Sequence, residues 1–304
     1  MILRNFFLYL SQHQGLRQWM ETNPAARPLT SRFIAGKTLE DEFAACHELA
    51  KQGIMSALDH LGENVLTLEE AQGPLKEYLA ALDQISVRKL PSTISIKLTQ
   101  FGLDQSEAAC RENVRKLVKR ASEIGSRVEV DMESSTYTQR TLDIVAAIAS
   151  ELGHMRCVIQ AYLFRSEADI ERMNHLRIPV RLCKGAYNEP GSVAMQQKFE
   201  VDENYLHLMR LLLDDGAYPA LATHDQRMID ETLRYAKAKG VAADRFEFQM
   251  LYGIRRDLQN SLVNQGYQMR AYVPYGSAWY PYFMRRLSER PANVLFVLKS
   301  LFRR

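Results

Sequence analysis

The feature that most constrains the fold is an alternation. Short apolar runs bounded by turn formers recur between longer stretches whose apolar residues fall at helical spacing. A period of two inside the runs and of 3.6 between them is the signature of βα units around a parallel sheet. Seven runs are clear, at 93–98, 128–131, 157–161, 179–183, 219–223, 246–251 and 269–273. An eighth, 54–58, resembles a helix almost as much, but it stands where a first strand is needed. Helical stretches fall at 106–124, 138–152, 167–175, 202–214 and 228–239. Eight units predict an α/β fold of the (β/α)8 TIM-type barrel class. The chain has 304 residues, 46% of them hydrophobic, enough for one large α/β domain. The expectation is a barrel over 53–304, preceded over 1–52 by helices that form an arm, a cap or an oligomer contact. A doubly wound open sheet is the structural competitor, but none of the 15 glycines forms G-x-G-x-x-G or a P-loop.

The charge balance excludes some partners. A net charge of +3 with 25% charged residues supplies no basic field for nucleic acid. The excess gathers at the C-terminus, where Lys299, Arg303 and Arg304 flank Leu301 and Phe302. That segment reads first as a frayed tail, and second as a peripheral contact with an anionic membrane. Cys46, Cys110, Cys157 and Cys183 are widely separated, without a C-x-x-C pair, which argues against zinc or a disulfide framework. The apolar stretch 2–10 is short and interrupted by Arg4 and Asn5, unlike a cleaved signal. No run approaches the ~20 apolar residues of a membrane span. The expected location is the cytoplasm, at most peripheral on the inner face of the membrane.

Strand alternation makes the barrel interior polar. With Ile94, Ile96, Val128, Val130, Val180, Leu182, Phe246, Phe248, Ala271 and Val273 facing the helices, the inward row carries Ser95, Lys97, Glu129, Asp131, Arg181, Glu247, Gln249, Arg270 and Tyr272. A purely structural barrel fills these layers with branched aliphatics, because an unpaired charge in a dry interior costs several kcal/mol. Three bases against three acids, with Lys97, Asp131 and Arg181 near strand C-terminal ends, point to an active site. Solvated surface strands are the plainer alternative.

Eight motifs, in order, are similar to the proline dehydrogenase family. They are Ser95-Ile-Lys-Leu, Asp131-Met-Glu-Ser, Gln160-Ala-Tyr, Arg181-Leu-Cys-Lys-Gly-Ala-Tyr187, Ala222-Thr-His-Asp, Phe246-Glu-Phe-Gln-Met-Leu251, Arg270-Ala-Tyr-Val-Pro-Tyr-Gly and Tyr282-Phe-Met-Arg-Arg-Leu-Ser-Glu289. The resemblance covers about Gly53 to Asn293. Bifunctional members continue into an aldehyde dehydrogenase domain; this chain stops at Arg304 and so resembles the monofunctional form. The resemblance implies FAD-dependent oxidation of L-proline to pyrroline-5-carboxylate, with a quinone as electron acceptor and a separate pyrroline-5-carboxylate dehydrogenase downstream.

It also implies roles for individual residues. At ~100° per residue, Tyr282, Arg285, Arg286 and Glu289 share one helix face, with Pro291 limiting continuation. Two adjacent arginines make a fork for a planar carboxylate, although an exposed Arg–Glu pair is the ordinary reading. The resemblance assigns Arg285 and Arg286 to proline's carboxylate, with Glu289 holding the fork. Lys97 would lie near that carboxylate, paired with Asp131. Tyr272, Tyr282, Leu251 and Tyr187 would wall the ring pocket. Arg181 would stand near the reactive flavin nitrogen, Gln160 and Met132 at the ring, Lys184, Gly185 and Ala186 at the pyrophosphate, and Thr223 and His224 on the adenosine side. His224 alone reads as a satisfied structural histidine, and only its context reverses that. The turn-rich 187–191 loop would act as a lid, with Glu189 pairing with Arg286. Retention of Tyr282 favours plain proline over hydroxyproline. Two rival readings are a Schiff-base lyase built on Lys97 or Lys184, and a proline or flavin sensor without turnover.

Overall fold

The computed structural model describes residues 15, 18–19, 31–62 and 65–289, with side chains as far as Met284. Eight parallel strands form a closed barrel, each paired with the next and β8 with β1. They are β1 Met55–His60, β2 Ser92–Ile96, β3 Val128–Val130, β4 Met155–Gln160, β5 Val180–Cys183, β6 Ala220–Ala222, β7 Glu247–Leu251 and β8 Gln268–Tyr275. The barrel expectation is met, including its ambiguous eighth strand, which starts at Met55 and runs on to His60.

Each strand presents one apolar row to the helices. Ile94, Ile96, Val128, Val130, Leu182, Phe248 and Val273 are buried in the main core between sheet and helices. The register pairs Ser95 with Glu129, Glu129 with Arg156 and Gln249 with Arg270, so polar inward positions of neighbouring strands lie in common layers.

The helices are α1 Leu39–Lys51, α2 Gln72–Arg88, α3 Glu107–Glu123, α4 Thr138–Leu152, α5 Ser166–His175, α6 Lys198–Asp215, α7 Gln226–Lys239, α8 Arg256–Asn264 and α9 Trp279–Glu289. Helix α1 starts on a capping box: Asp41 N–H donates to Thr38 Oγ1 and the Thr38 N–H donates back to Asp41. It buries Phe43, Cys46 and Leu49 and packs on β1 and β8, within the ring of helices. The chain entering α1 crosses the C-terminal end of β8, where the Ala35 N–H donates to Pro274 O and the Gly276 N–H to Gly36 O.

A second, smaller core sits above this end of the barrel. Phe33, Ile34, Leu61 and Ile254 pack with Trp279, Tyr280, Tyr282, Phe283 and Met284 of α9. It fixes α9 over the mouth near the tips of β1 and β7. The C-terminal segment 299–304, read above as a tail, lies outside the described residues, as does the apolar stretch 2–10.

Candidate active site at the barrel mouth

The inward row forms two charged layers. Near the C-terminal ends of the strands stand Asp59, Lys97, Asp131, Arg181 and Tyr272. Lys97 Nζ lies 3.0 Å from Asp59 Oδ1 and 3.7 Å from Asp131 Oδ2. Asp131 also accepts from Ser95 Oγ at 2.9 Å and from Tyr272 Oη at 2.7 Å, and it contacts Arg181 Nη2. Arg181 reaches Glu129 and Gln249 through Nη1, donates to Ser95 Oγ, and stacks 5.4 Å from the Tyr272 ring centroid. With two neutral donors and two cations around it, Asp131 aligns Lys97, Arg181 and Tyr272 as one unit. Burial, and then the charge of Asp59, holds the Tyr272 hydroxyl well above its ordinary titration range, so it is a firm donor.

The lower layer is dry. Arg156 and Glu129 are 0% exposed. Arg156 Nη1 donates to Glu247 at 2.6 Å and to Glu129 at 3.2 Å, and Arg270 Nε donates to Glu247 at 3.0 Å. Burial works against ionised Glu129, but Arg156, Arg181 and Arg270 overcome it and lower its titration to about 2. Glu247 is held lower still: burial opposes the charge, and Arg156 and Arg270 outweigh it. Together the interior acids Asp59, Glu129, Asp131 and Glu247 match the bases Lys97, Arg156, Arg181 and Arg270.

Asp59 and Arg156 lie one residue outside the apolar runs 54–58 and 157–161, so the runs alone do not reveal them. Extending the alternation outward would have found both, since Asp59 continues from Ala57, and Arg156 leads into Val158 and Gln160.

The other site residues fall around the same mouth. Gln160, 2% exposed, ends β4 and donates to Glu133 O at 2.9 Å, with Met132 buried at the end of β3. Past β5, the Lys184 amine bridges Asp202 and Asp225 at 2.6 and 2.8 Å. Gly185 has φ +115°, and a Cβ there would stand 2.4 Å from the Tyr162 ring, so only glycine fits. Ala186 and Tyr187 follow. Thr223 and His224 follow β6; the Leu251 N–H donates to His224 Nε2 at 2.9 Å, which leaves the ring proton on Nδ1. Glu189 accepts from the Ser135 N–H at 2.7 Å and from its hydroxyl, tying the 187–191 loop to the β3–α4 connection. The expected pairing of Glu189 with Arg286 therefore meets a competing partner in Ser135. Tyr282 is buried on α9, and Leu251 ends β7 beside it. Arg285, Arg286 and Glu289 lie on α9, and their side chains are outside the described residues.

As for the lyase reading, both lysines it requires already bridge two carboxylates, Lys97 between Asp59 and Asp131 and Lys184 between Asp202 and Asp225.

A closed barrel with a charge-compensated interior and a cluster of functional groups at its C-terminal face defines a (β/α)8-barrel enzyme. The family model for proline dehydrogenase matches residues 43–299. The chain belongs to the proline dehydrogenase family, and it is an oxidoreductase acting on proline. It is 42% identical to Proline dehydrogenase 2 of Bacillus subtilis (strain 168) over 301 residues, covering 99% of each. It is 38% identical to the proline dehydrogenase of Deinococcus radiodurans over 280 residues, 90% of each. Among solved structures it resembles proline utilization A (PutA) from Bdellovibrio bacteriovorus inactivated by N-propargylglycine. That match has a TM-score of 0.80 and 25% identity, and covers 86% of this chain but 32% of that one.

Proposed function

We propose that this chain oxidises L-proline to pyrroline-5-carboxylate with FAD as its hydride acceptor. On this reading the residues at the tips of β4, β5 and β6 would hold the cofactor, and those at the tips of β2, β3 and β8 and on α9 would hold the substrate. The observation that carries the proposal is the division of the mouth. Gln160, Arg181, Lys184, Gly185, Ala186, Thr223 and His224 belong to three adjacent strand ends, whereas Lys97, Asp131, Tyr272 and Tyr282 belong to the other side. The first group fits a flavin dinucleotide by its donor chemistry: a guanidinium, small-residue backbone, a hydroxyl and a histidine carrying its proton on Nδ1.

When bound, FAD supplies a two-electron acceptor for the hydride that leaves the proline ring. Arg181 provides fixed positive charge where negative charge develops, at no reorganisation cost because Asp131, Glu129 and Gln249 already hold it. Arg285 and Arg286 clamp the substrate carboxylate with Lys97 on its other side, and Glu289 steadies the fork. Tyr272, Tyr282, Leu251 and Tyr187 enclose the ring, and Met132 backs the cofactor.

The electrons pass on to a quinone, and pyrroline-5-carboxylate leaves for a separate dehydrogenase. Among the described residues no helix is long and apolar enough to cross a membrane. Contact with a membrane quinone pool would be made peripherally by segment 299–304. Steady-state turnover of L-proline with FAD and a soluble quinone tests the reading. Lys97→Met should raise KM for proline about tenfold, the worth of one charge-assisted contact. Wild-type protein that holds FAD and leaves quinone unreduced by proline would refute it.

A further inference from the structure

The strands begin at a second opening, opposite the catalytic mouth. There a cavity of about 540 Å³ lies between the starts of β1, β2 and β8 and the turns leading into β3, β4 and β6. Its charged and aromatic lining is Lys89, Arg127, His154, Tyr218 and Arg270, and among the described residues no aspartate or glutamate lines it. We infer that this floor cavity is a binding site for a small multivalent oxyanion, a phosphate or a polycarboxylate, distinct from the proline site.

The arginines around the cavity differ in their partners. Arg270 is held by Glu247 and by the carbonyl of Ser56. Arg127 is half-buried and forms no ion pair or hydrogen bond through its guanidinium among the described residues. Its one aromatic neighbour is Tyr218, with the ring centroid 5.7 Å away. Arg156 stands 5.5 Å from the same ring, wholly buried, and its Nε has no hydrogen-bond partner. The four interior acids are already matched by four interior bases, so Arg127 and Lys89 are positive charge in excess. Burial, and then repulsion from Arg156, pulls the Arg127 guanidinium below its ordinary range. An oxyanion in the cavity would supply charge-assisted acceptors to the Arg127 guanidinium that lines it. His154 closes one side, its Nδ1 2.8 Å from Ser126 O, leaving Nε2 as the remaining polar atom of the ring. The cavity's size is within the ~300–1,000 Å³ usual for small-molecule sites.

The experiment uses the FAD-loaded enzyme, titrated calorimetrically with inorganic phosphate and, separately, with citrate, each against sodium chloride at matched ionic strength. The expected result is saturable heat with at least one of the two anions and none with chloride. Phosphate alone would define a phosphate site, and citrate alone a polycarboxylate site. Arg127→Met should weaken that binding about tenfold or more. Lys89→Met, at an exposed position that keeps the fold intact, should weaken it less. Proline turnover should be unchanged in both variants. Absence of saturable heat with either anion, or equal affinity in wild type and Lys89→Met together with Arg127→Met, would overturn the inference.

Discussion

Asp131 gathers the mouth into one unit, because Lys97, Arg181, Ser95 and Tyr272 all converge on its two oxygens. Arg181 is the group in that unit best placed to answer charge developing on the acceptor. Arg181→Met should lower kcat by about 10²–10³, the usual loss on removing one preorganised stabilising donor. Stopped-flow reduction by proline would read this directly, with circular dichroism confirming the fold. A different residue shapes the pH dependence of stability. Glu42 on α1 is 0% exposed, and neither carboxyl oxygen has a side-chain donor or a cation beside it among the described residues. Burial, and then the charge of Asp59, raises its titration well above the ordinary 4.5. Its folded value exceeds its unfolded one, so its contribution is present below pH 4.5 and is lost as pH rises above it. Glu42→Gln removes that loss. The variant should exceed wild type in stability at pH 7, with the gap closing towards pH 4 in urea unfolding curves.

At the scale of elements, the β5–α6 connection is the most demanding piece of backbone. Gly185 holds φ +115° against the Tyr162 ring, while Lys184 before it is clamped by α6 and α7 through Asp202 and Asp225. Gly185→Ala should destabilise the fold by about 1–3 kcal/mol through backbone strain and lower flavin content at a given FAD concentration. Thermal unfolding and the visible spectrum measure the two effects. These elements were unevenly legible. The strands that show one apolar row to the helices, such as β2 and β3, could be read from period two alone. The start of β1 was ambiguous because Ile54, Ala57 and Leu58 satisfy either period. Helix α2 went undelineated because Gly73 and Pro74, near its N-terminus, look like turn formers. Asp59 and Arg156 were missed for a related reason: a charge at the edge of an apolar run looks like its end. It takes the closed barrel to show that such a charge faces inward to a partner. Pairings such as Glu189 with Ser135 join loops distant in sequence, and no local pattern encodes them.

Across the whole molecule, one ladder of charge runs up the barrel axis, from Arg270 through Glu247, Arg156 and Glu129 to Arg181 and Asp131. Breaking it in the dry layer leaves charges stranded. Arg156→Met should therefore destabilise by about 3–5 kcal/mol, measurable by denaturant unfolding. Glu129 and Glu247 titrate below their unfolded values, so the stability they confer is in place above pH 4.5. It is lost as pH falls towards about 2. Glu129→Gln should flatten the acid limb of the stability profile in that window. The ladder joins the barrel floor to the mouth, the proposed site of proline oxidation. The most direct measurement is anaerobic: load the protein with FAD, record the visible flavin band, and add L-proline, with hydroxyproline and glutamate as controls. Bleaching is expected with L-proline, little with hydroxyproline and none with glutamate. A flavin band that L-proline leaves unchanged, or a protein that takes up no FAD, would contradict FAD-dependent proline oxidation.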